Sequence, residues 1–306
     1  MIDLSQMTTE RQNPDTKNLD QMTPLELVTV INREDEQVTT AIRRILPEIA
    51  KTVEITTACL KNGGRLIYLG AGTSGRLGVL DAVECPPTFG TDPGLVIGLI
   101  AGGEKAFVKA VEGAEDSQTL AAEDLKALHL SAKDMVIGLA ASGRTPYVIY
   151  GLEYARKIGC PTAAIVCNSG SSMAGAADIV MEAVVGPEVL TGSTRLKAGS
   201  AQKMILNMIS TGSMVGIGKV YQNYMVDLKR TNEKLVTRSE NIVMATTGCG
   251  REEAKAALDE AEGSVKLAIT AVLSRSDTRQ AAAYLEQAGG YVRRALELAA
   301  EEQKNK

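Results

Sequence analysis

The stretch from Leu69 to Gly90, LGAGTSGRLGVLDAVECPPTFG, collects the residue types of an anion site. Gly70, Gly72 and Gly75 surround Thr73 and Ser74, directly after the apolar run Arg65–Leu69. A strand, a glycine-rich turn and a helix start bring backbone N–H groups and the positive end of a helix dipole to one point, where phosphate binds well. A second turn of similar make-up, Ser142-Gly143-Arg144-Thr145-Pro146, also follows an apolar run and also opens a helix. One such turn is often an ordinary glycine turn with an N-cap hydroxyl. Two on one sheet edge argue for a shared anionic ligand. Thr73, Ser74, Ser142 and Thr145 offer hydroxyls and N–H groups to a phosphate, and Arg144 either adds charge or faces solvent. The helix after the first turn reads as Arg76–Val83, stopped by Cys85-Pro86-Pro87, with the carboxylate Glu84 at its end. Further carboxylates follow at Glu112, Glu115 and Asp116. From the residues alone, Glu84 reads first as a solvated helix-terminal side chain.

The elements that must hold these turns follow from periodicity. Arg65–Leu69, Leu95–Ile100, Met135–Leu139 and Thr162–Val166 are near-continuous apolar runs, as buried parallel strands are, and Ile179–Val185 adds a fifth. Helical spacing lies between them, over Leu77–Val83, Glu104–Leu128 and Pro146–Ile158. This alternation predicts an α/β fold with a doubly wound parallel sheet, whose ligands sit beyond the C-terminal ends of the strands. Ahead of it, residues 1 to about 22 are polar and read as extended. Thr23-Pro24-Leu25-Glu26 then starts a helix with Thr as N-cap, Pro at N1 and Glu at N3. Another helix runs from Pro47 to the stop at Asn62-Gly63-Gly64. Ser193–Val220 begins with hydroxyl and basic residues and becomes a Met-rich helix suited to core or dimer packing. Arg195 and Lys197 at its start either reach a ligand or are solvated. Asp227–Arg238 reads as a linker, and from Glu240 the Ala/Glu/Lys-rich pattern predicts three or four short helices. The expected division is a helical arm over 1–55, an α/β domain over 56–225 and a helical bundle over 238–306.

Composition limits the partners. The 306 residues carry a formal charge of −4 and no basic stripe, which argues against nucleic acid. The one histidine, His129, lies between elements and reads as structural or surface, so neither a histidine metal site nor a Ser-His-Asp triad is expected. The five cysteines are scattered, with no C-x-x-C pair, and the polar start lacks a signal-peptide core. No apolar run reaches the length of a membrane span. The expectation is a cytoplasmic protein that uses no cofactor and has no histidine-built metal site.

The two glycine turns resemble the phosphate-side loops of the sugar isomerase (SIS) domain, a flavodoxin-like fold. The longer string GAGTSGRLGVLDAVECPPTFG, with Glu112-Gly113-Ala114-Glu115-Asp116 and Gly192-Ser193-Thr194-Arg195-Leu196-Lys197-Ala198-Gly199, is similar to the N-acetylmuramic acid 6-phosphate etherases. The likeness extends to the arm and to the C-terminal helices, which resemble that family's ubiquitin-associated-type bundle. It implies cleavage of the lactyl ether of N-acetylmuramate 6-phosphate to N-acetylglucosamine 6-phosphate and D-lactate, in recycling or scavenging of bacterial cell wall. It also implies a cytoplasmic homodimer that uses no metal, with Glu84 as the acid on the lactyl oxygen and Glu115 as the base at C2. Residue spacing does not order those two roles. Two other readings of the fold stand beside this one: an aldose-ketose isomerase, which needs no acid at C3, and a non-catalytic sugar-phosphate sensor of the kind the glucokinase regulatory protein represents.

Overall fold

Strand β1 (Leu66–Gly70) is buried at every position and forms the axis of a five-stranded parallel sheet. The computed structural model describes residues 7–109, 111–230 and 232–304. The sheet order is β2 (Val96–Ile100), β1, β3 (Met135–Leu139), β4 (Thr162–Val166) and β5 (Ile179–Glu182). Every pairing within it is parallel, so the doubly wound prediction holds. Alternate residues of β1 serve opposite faces. Ile67 and Leu69 pack with Leu125 of α5 (Leu120–Ala127) and with Tyr147, Val148 and Leu152 of α6 (Pro146–Ile158). Tyr68 turns the other way and donates its hydroxyl to Asp81 of α3 (Gly72–Phe89) at 2.9 Å. Each such fully buried apolar side chain contributes about 1.5–3 kcal/mol.

Two earlier helices, α1 (Pro24–Arg43) and α2 (Leu46–Lys61), start as their sequences specify. The Thr23 hydroxyl accepts the Glu26 N–H at 3.4 Å, and the Glu26 carboxylate accepts the Thr23 N–H at 2.8 Å. The described part of the polar N-terminus forms short 3-10 turns at Thr8–Glu10, Pro14–Thr16 and Leu19–Gln21, where extended chain was expected. Distant partners hold it: the Thr9 N–H donates to Asn168, the Asn168 amide donates to the Thr9 hydroxyl, and the Thr16 hydroxyl donates to the Val189 carbonyl.

Other expectations are corrected. Helix α3 continues through Pro86 and Pro87, because buried Cys85 and Phe89 anchor its last turns and the Gly90 N–H closes them on the Pro86 carbonyl at 2.9 Å. The segment predicted as one helix over Glu104–Leu128 is broken. It forms α4 (Lys105–Val108), a 3-10 turn (Ala114–Asp116) entered through Gly113 at φ 74°, and α5. Asp227–Arg238 is no loose linker, since Asp227 pairs with Lys219 and Lys266, and α8 (Glu233–Thr247) starts within it under an Asn232 cap.

The chain separates into two compact units, Met1–Val83 with Gly94–Gly212, and Glu84–Pro93 with Ser213–Lys306. The first holds the sheet and the start of α7 (Lys197–Gly216). The second holds a hairpin, β6 (Val220–Tyr221) with β7 (Tyr224–Met225), and α8. It continues through α9 (Arg251–Glu260), α10 (Val265–Ser274), α11 (Thr278–Gln287) and α12 (Val292–Lys304). That is one helix more than the upper expectation, because the Gly289-Gly290 turn separates α11 from α12. Val243, Leu258 and Ile269 centre its core.

At the N-terminal end of β1, Asp134 is buried and accepts from the Arg65 N–H, the Arg65 guanidinium and the Ser131 N–H. Burial pushes its carboxyl upward, and the Arg65 and Ser131 hydrogen bonds with the Arg65 charge outweigh that, holding it below its ordinary value of 3.8. A depressed carboxylate stabilises the fold above its unfolded pKa and loses that contribution as pH falls through the folded one. Asp134→Asn is therefore expected to cost about 2–3 kcal/mol near neutrality. In denaturant titrations the gap from wild type closes below about pH 4.

Candidate functional site

Gly70 and Leu139 are register partners at the C-terminal ends of β1 and β3. The two glycine turns therefore leave the sheet side by side. The strand order places them at the switch point, where successive crossovers go to opposite faces and a crevice opens. Helix α3 opens on Gly72, Thr73 and Ser74, first-turn positions whose N–H groups have no intrahelical acceptor. Gly75 sets how close that helix start comes. A Cβ there would stand 2.7 Å from both the Gly70 carbonyl oxygen and Ile100 Cγ1. In the second turn, Gly143 has φ 68°, and a Cβ on it would meet Ser171 at 2.4 Å. Both glycines are thus required by close approach.

The predicted phosphate residues fall into distinct environments. Thr73 is half-buried. Ser74 is buried, and its hydroxyl donates to Gln202 Oε1 at 2.8 Å, so its own remaining contribution is the backbone N–H. Gln202, 1% exposed on α7, keeps its Nε2 without a hydrogen-bond partner among the described residues. Sequence reading missed Gln202; its only signal is that it is one of two amides, with Asn207, in the Met-rich helix. Ser142 is half-buried and its Oγ accepts the Arg144 N–H at 3.3 Å. Arg144 is exposed, with Nη1 3.8 Å from Met7 Sδ. Thr145 is the N-cap of α6, yet its hydroxyl makes no capping bond.

Glu115 lies on the exposed 3-10 turn after Gly113. It lines a hollow of about 190 Å³ together with Gly72, Arg76, Val111 and Glu112. The first glycine turn and one predicted catalytic carboxylate thus share a cavity. Arg76 spans it, donating to the Phe107 carbonyl at 2.7 Å and the Ala106 carbonyl at 2.9 Å. Glu84 is exposed on α3 and lies outside the residues lining this hollow; it falls in the Glu84–Pro93 stretch of the second unit. Asp81, a near neighbour in sequence, is buried and accepts from Tyr68, Asn207 and Ser210. Burial pushes its carboxyl up despite those three bonds.

The start of α7 departs most from expectation. Lys197 is 1% exposed, and its Nζ pairs with Glu34 Oε2 at 2.6 Å, so it is neither solvated nor open to a ligand. Burial pushes the Glu34 carboxyl upward, but Lys197 and Asn13 hold it below the usual range. Arg195 is exposed and lines a separate hollow of about 300 Å³ with Thr73 and Lys203.

Remaining features carry no chemistry of this kind. His129 is exposed at φ 50°, and its carbonyl receives Arg65. Cys167 is fully buried, and burial pushes its thiol to about 12, far from a reactive thiolate. A cavity of about 820 Å³ in the second unit, between the hairpin and α8, contains none of the predicted residues. Among the described residues, no three His, Cys, Asp or Glu side chains are grouped to hold a metal, and no helix is long and apolar enough to cross a membrane.

Two family models match the chain, the glucokinase regulatory protein N-terminal SIS domain over residues 48–156 and the SIS domain over residues 117–212. The N-acetylmuramic acid 6-phosphate etherase of Cronobacter sakazakii is 59% identical over 296 residues, covering 97% of this chain and 100% of the relative. The same-named protein of Serratia proteamaculans is 58% identical over 295 residues, covering 96% and 99%. Among solved structures, phosphoheptose isomerase from Neisseria gonorrhoeae aligns with a TM-score of 0.50 at 17% identity, over 62% of this chain and 98% of that one, a likeness of fold.

The glycine contact yields a test. Gly75→Ala would push the start of α3 off β1, costing about 1–3 kcal/mol for the overpacked methyl. Any activity that depends on the turn should fall at least tenfold in kcat/KM, measured beside the melting temperature.

Proposed function

Because the chain belongs to the N-acetylmuramic acid 6-phosphate etherase family, we propose that its two glycine turns hold the 6-phosphate while Glu115 and Glu84 break the lactyl ether. The reaction is that of a carbon-oxygen lyase in bacterial cell-wall sugar recycling. It converts N-acetylmuramate 6-phosphate to N-acetylglucosamine 6-phosphate and D-lactate.

The chemistry explains the need for two carboxyls. An ether oxygen leaves poorly and resists direct displacement by water. In the ring-opened sugar the C2 proton is acidic, because it lies α to the aldehyde. Glu115 removes it, and Glu84 protonates the C3 oxygen as lactate departs. Water then adds at C3 of the unsaturated aldehyde. Each proton transfer contributes roughly a hundredfold or more. The observation that carries this reading is the hollow in which Glu115 lines the wall beside Gly72 of the phosphate turn. For Glu84 the support is its exposed carboxylate immediately before Cys85-Pro86-Pro87, where the family likeness is most specific. Thr73 and Thr145, with the first N–H groups of α3 and α6, are the main phosphate donors in this reading, joined by Ser142, the Ser74 N–H and Arg144.

The protein acts as a homodimer in this account. Leu25 and Val28 on α1, and Leu80 and Val83 on α3, are exposed large apolar side chains that self-association would cover. Its five free cysteines, four of them buried, suit the reducing cytoplasm.

Glu84→Gln and Glu115→Gln should each lower D-lactate release by at least a hundredfold with unchanged circular dichroism. Near-normal turnover in either variant removes that residue's role. Removal of the substrate's 6-phosphate should weaken binding at least a hundredfold, read by competition against the phosphorylated sugar. Equal affinity for the unphosphorylated sugar would remove the phosphate assignment.

A further inference from the structure

The substrate carries two anionic groups, and the glycine turns account for one. In the etherase reading the lactyl carboxylate comes to a site that already holds the ionised base Glu115 and the 6-phosphate, on a chain of net charge −4. Like charges at close range repel, so the lactyl carboxylate needs a cation of its own. Several basic side chains of the first unit are already committed. Arg65 is on Asp134, Arg76 is on two backbone carbonyls, and Lys197 is on Glu34.

The hollow of about 300 Å³ is lined by Thr73, Leu77, Arg195, Ser200, Lys203 and Met204. It adjoins the Glu115 hollow through α3 itself. Gly72 and Arg76 line one, while Thr73 and Leu77, each about 100° further around the helix, line the other. Gly199 and Lys203 lie one turn apart on one face of α7, and Arg195, in the turn just before that helix, lines the same hollow. The Cβ position of Gly199 lies 3.7 Å from Thr73 Cγ2, which brings that face against the phosphate turn.

The N-terminus of α7 is not what would hold an anion there. Buried Glu188 already accepts the N–H groups of Lys197 and Ala198, both at 3.0 Å. The Gly199 N–H goes to the Thr194 carbonyl and the Ser200 N–H to the Leu196 carbonyl. Attraction for an anion rests on the Arg195 and Lys203 side chains. Both are exposed, and neither forms an ion pair among the described residues. Lys203 acts electrostatically on Asp81, whose carboxylate is already hydrogen-bonded by Tyr68, Asn207 and Ser210.

We propose that this hollow receives the lactyl group, with Arg195 and Lys203 binding its carboxylate and Leu77 and Met204 packing its methyl. The inference rests on the etherase reading and adds to it the side chains that select for the lactyl group. N-acetylglucosamine 6-phosphate, which lacks that group, engages only the phosphate side. An isomerase substrate without a lactyl group would leave both cations unused.

The test compares Arg195→Gln, Lys203→Gln and Arg195→Lys with the wild type. KM and kcat for N-acetylmuramate 6-phosphate are read from D-lactate release. The inhibition constant of N-acetylglucosamine 6-phosphate is read in the same assay. Losing one charge-assisted hydrogen bond should raise KM tenfold to a hundredfold. The product's inhibition constant should stay within about twofold, and Arg195→Lys should recover part of the loss. Melting temperatures should match the wild type, because both side chains are exposed. A parallel rise in KM and in the inhibition constant would mean that the hollow holds the phosphate, and would overturn the proposal. An unchanged KM, or a fall in kcat alone, would also overturn it. Wild-type protein that binds the substrate but releases no lactate would overturn the etherase reading, and this inference with it.

Discussion

A glycine laid against a glycine governs this site. At the end of β1, a Cβ on Gly70 would stand 2.5 Å from the Gly75 nitrogen, and a Cβ on Gly75 would press on the Gly70 carbonyl at 2.7 Å. Even one methyl group has no room. Only this pair lets the chain leave the strand and begin a helix within two residues, so that α3 opens over the sheet edge. The Gly70 carbonyl still accepts the Ala101 N–H at 2.9 Å, which extends the β1–β2 pairing past the strand end. The glycine turn is therefore a consequence of backbone approach, and its hydroxyls are additions to it.

Buried polar groups keep the helices around the turn in place. Asp81 gathers Tyr68 of β1 and two residues of α7 onto α3. Ser74 joins α3 to α7 again through Gln202. Glu188 satisfies the first donors of α7, and Lys197 joins that helix to α1 through Glu34. Burying such groups is costly unless each is paired, and each of these contacts supplies a partner. The network ties α7, with Lys203 on it and Arg195 in the turn before it, to the helix that opens on the first glycine turn. In the proposed reading, substrate selection and phosphate binding thereby share one framework.

Much of this was legible in the sequence. The first four strands matched their apolar runs to within a residue, because strands buried on both faces leave unbroken signals. The Thr23 capping box and the two glycine turns carry their physics in adjacent residues. What was hidden depends on distant partners. Nothing local in Lys197 says that Glu34, 163 residues earlier, will neutralise it in the interior. Gln202 and Glu188 look like ordinary surface polar residues until α7 packs. The course of α3 through Pro86 and Pro87 was missed because proline signals only a lost N–H, while the anchoring of Cys85 and Phe89 comes from the tertiary fold. Along Glu104–Leu128 the apolar spacing matched a helix, and the left-handed Gly113 overrode it.

The division of labour between the two glutamates is the claim on which the account stands. Exchange of the substrate's C2 proton in deuterated water, followed by NMR, tests it most directly. With Glu84→Gln the base remains and the leaving group is stranded, so N-acetylmuramate 6-phosphate should take up deuterium at C2 without releasing lactate. With Glu115→Gln, neither exchange nor lactate should be seen. Exchange that persists in Glu115→Gln and vanishes in Glu84→Gln would reverse the roles and contradict the account.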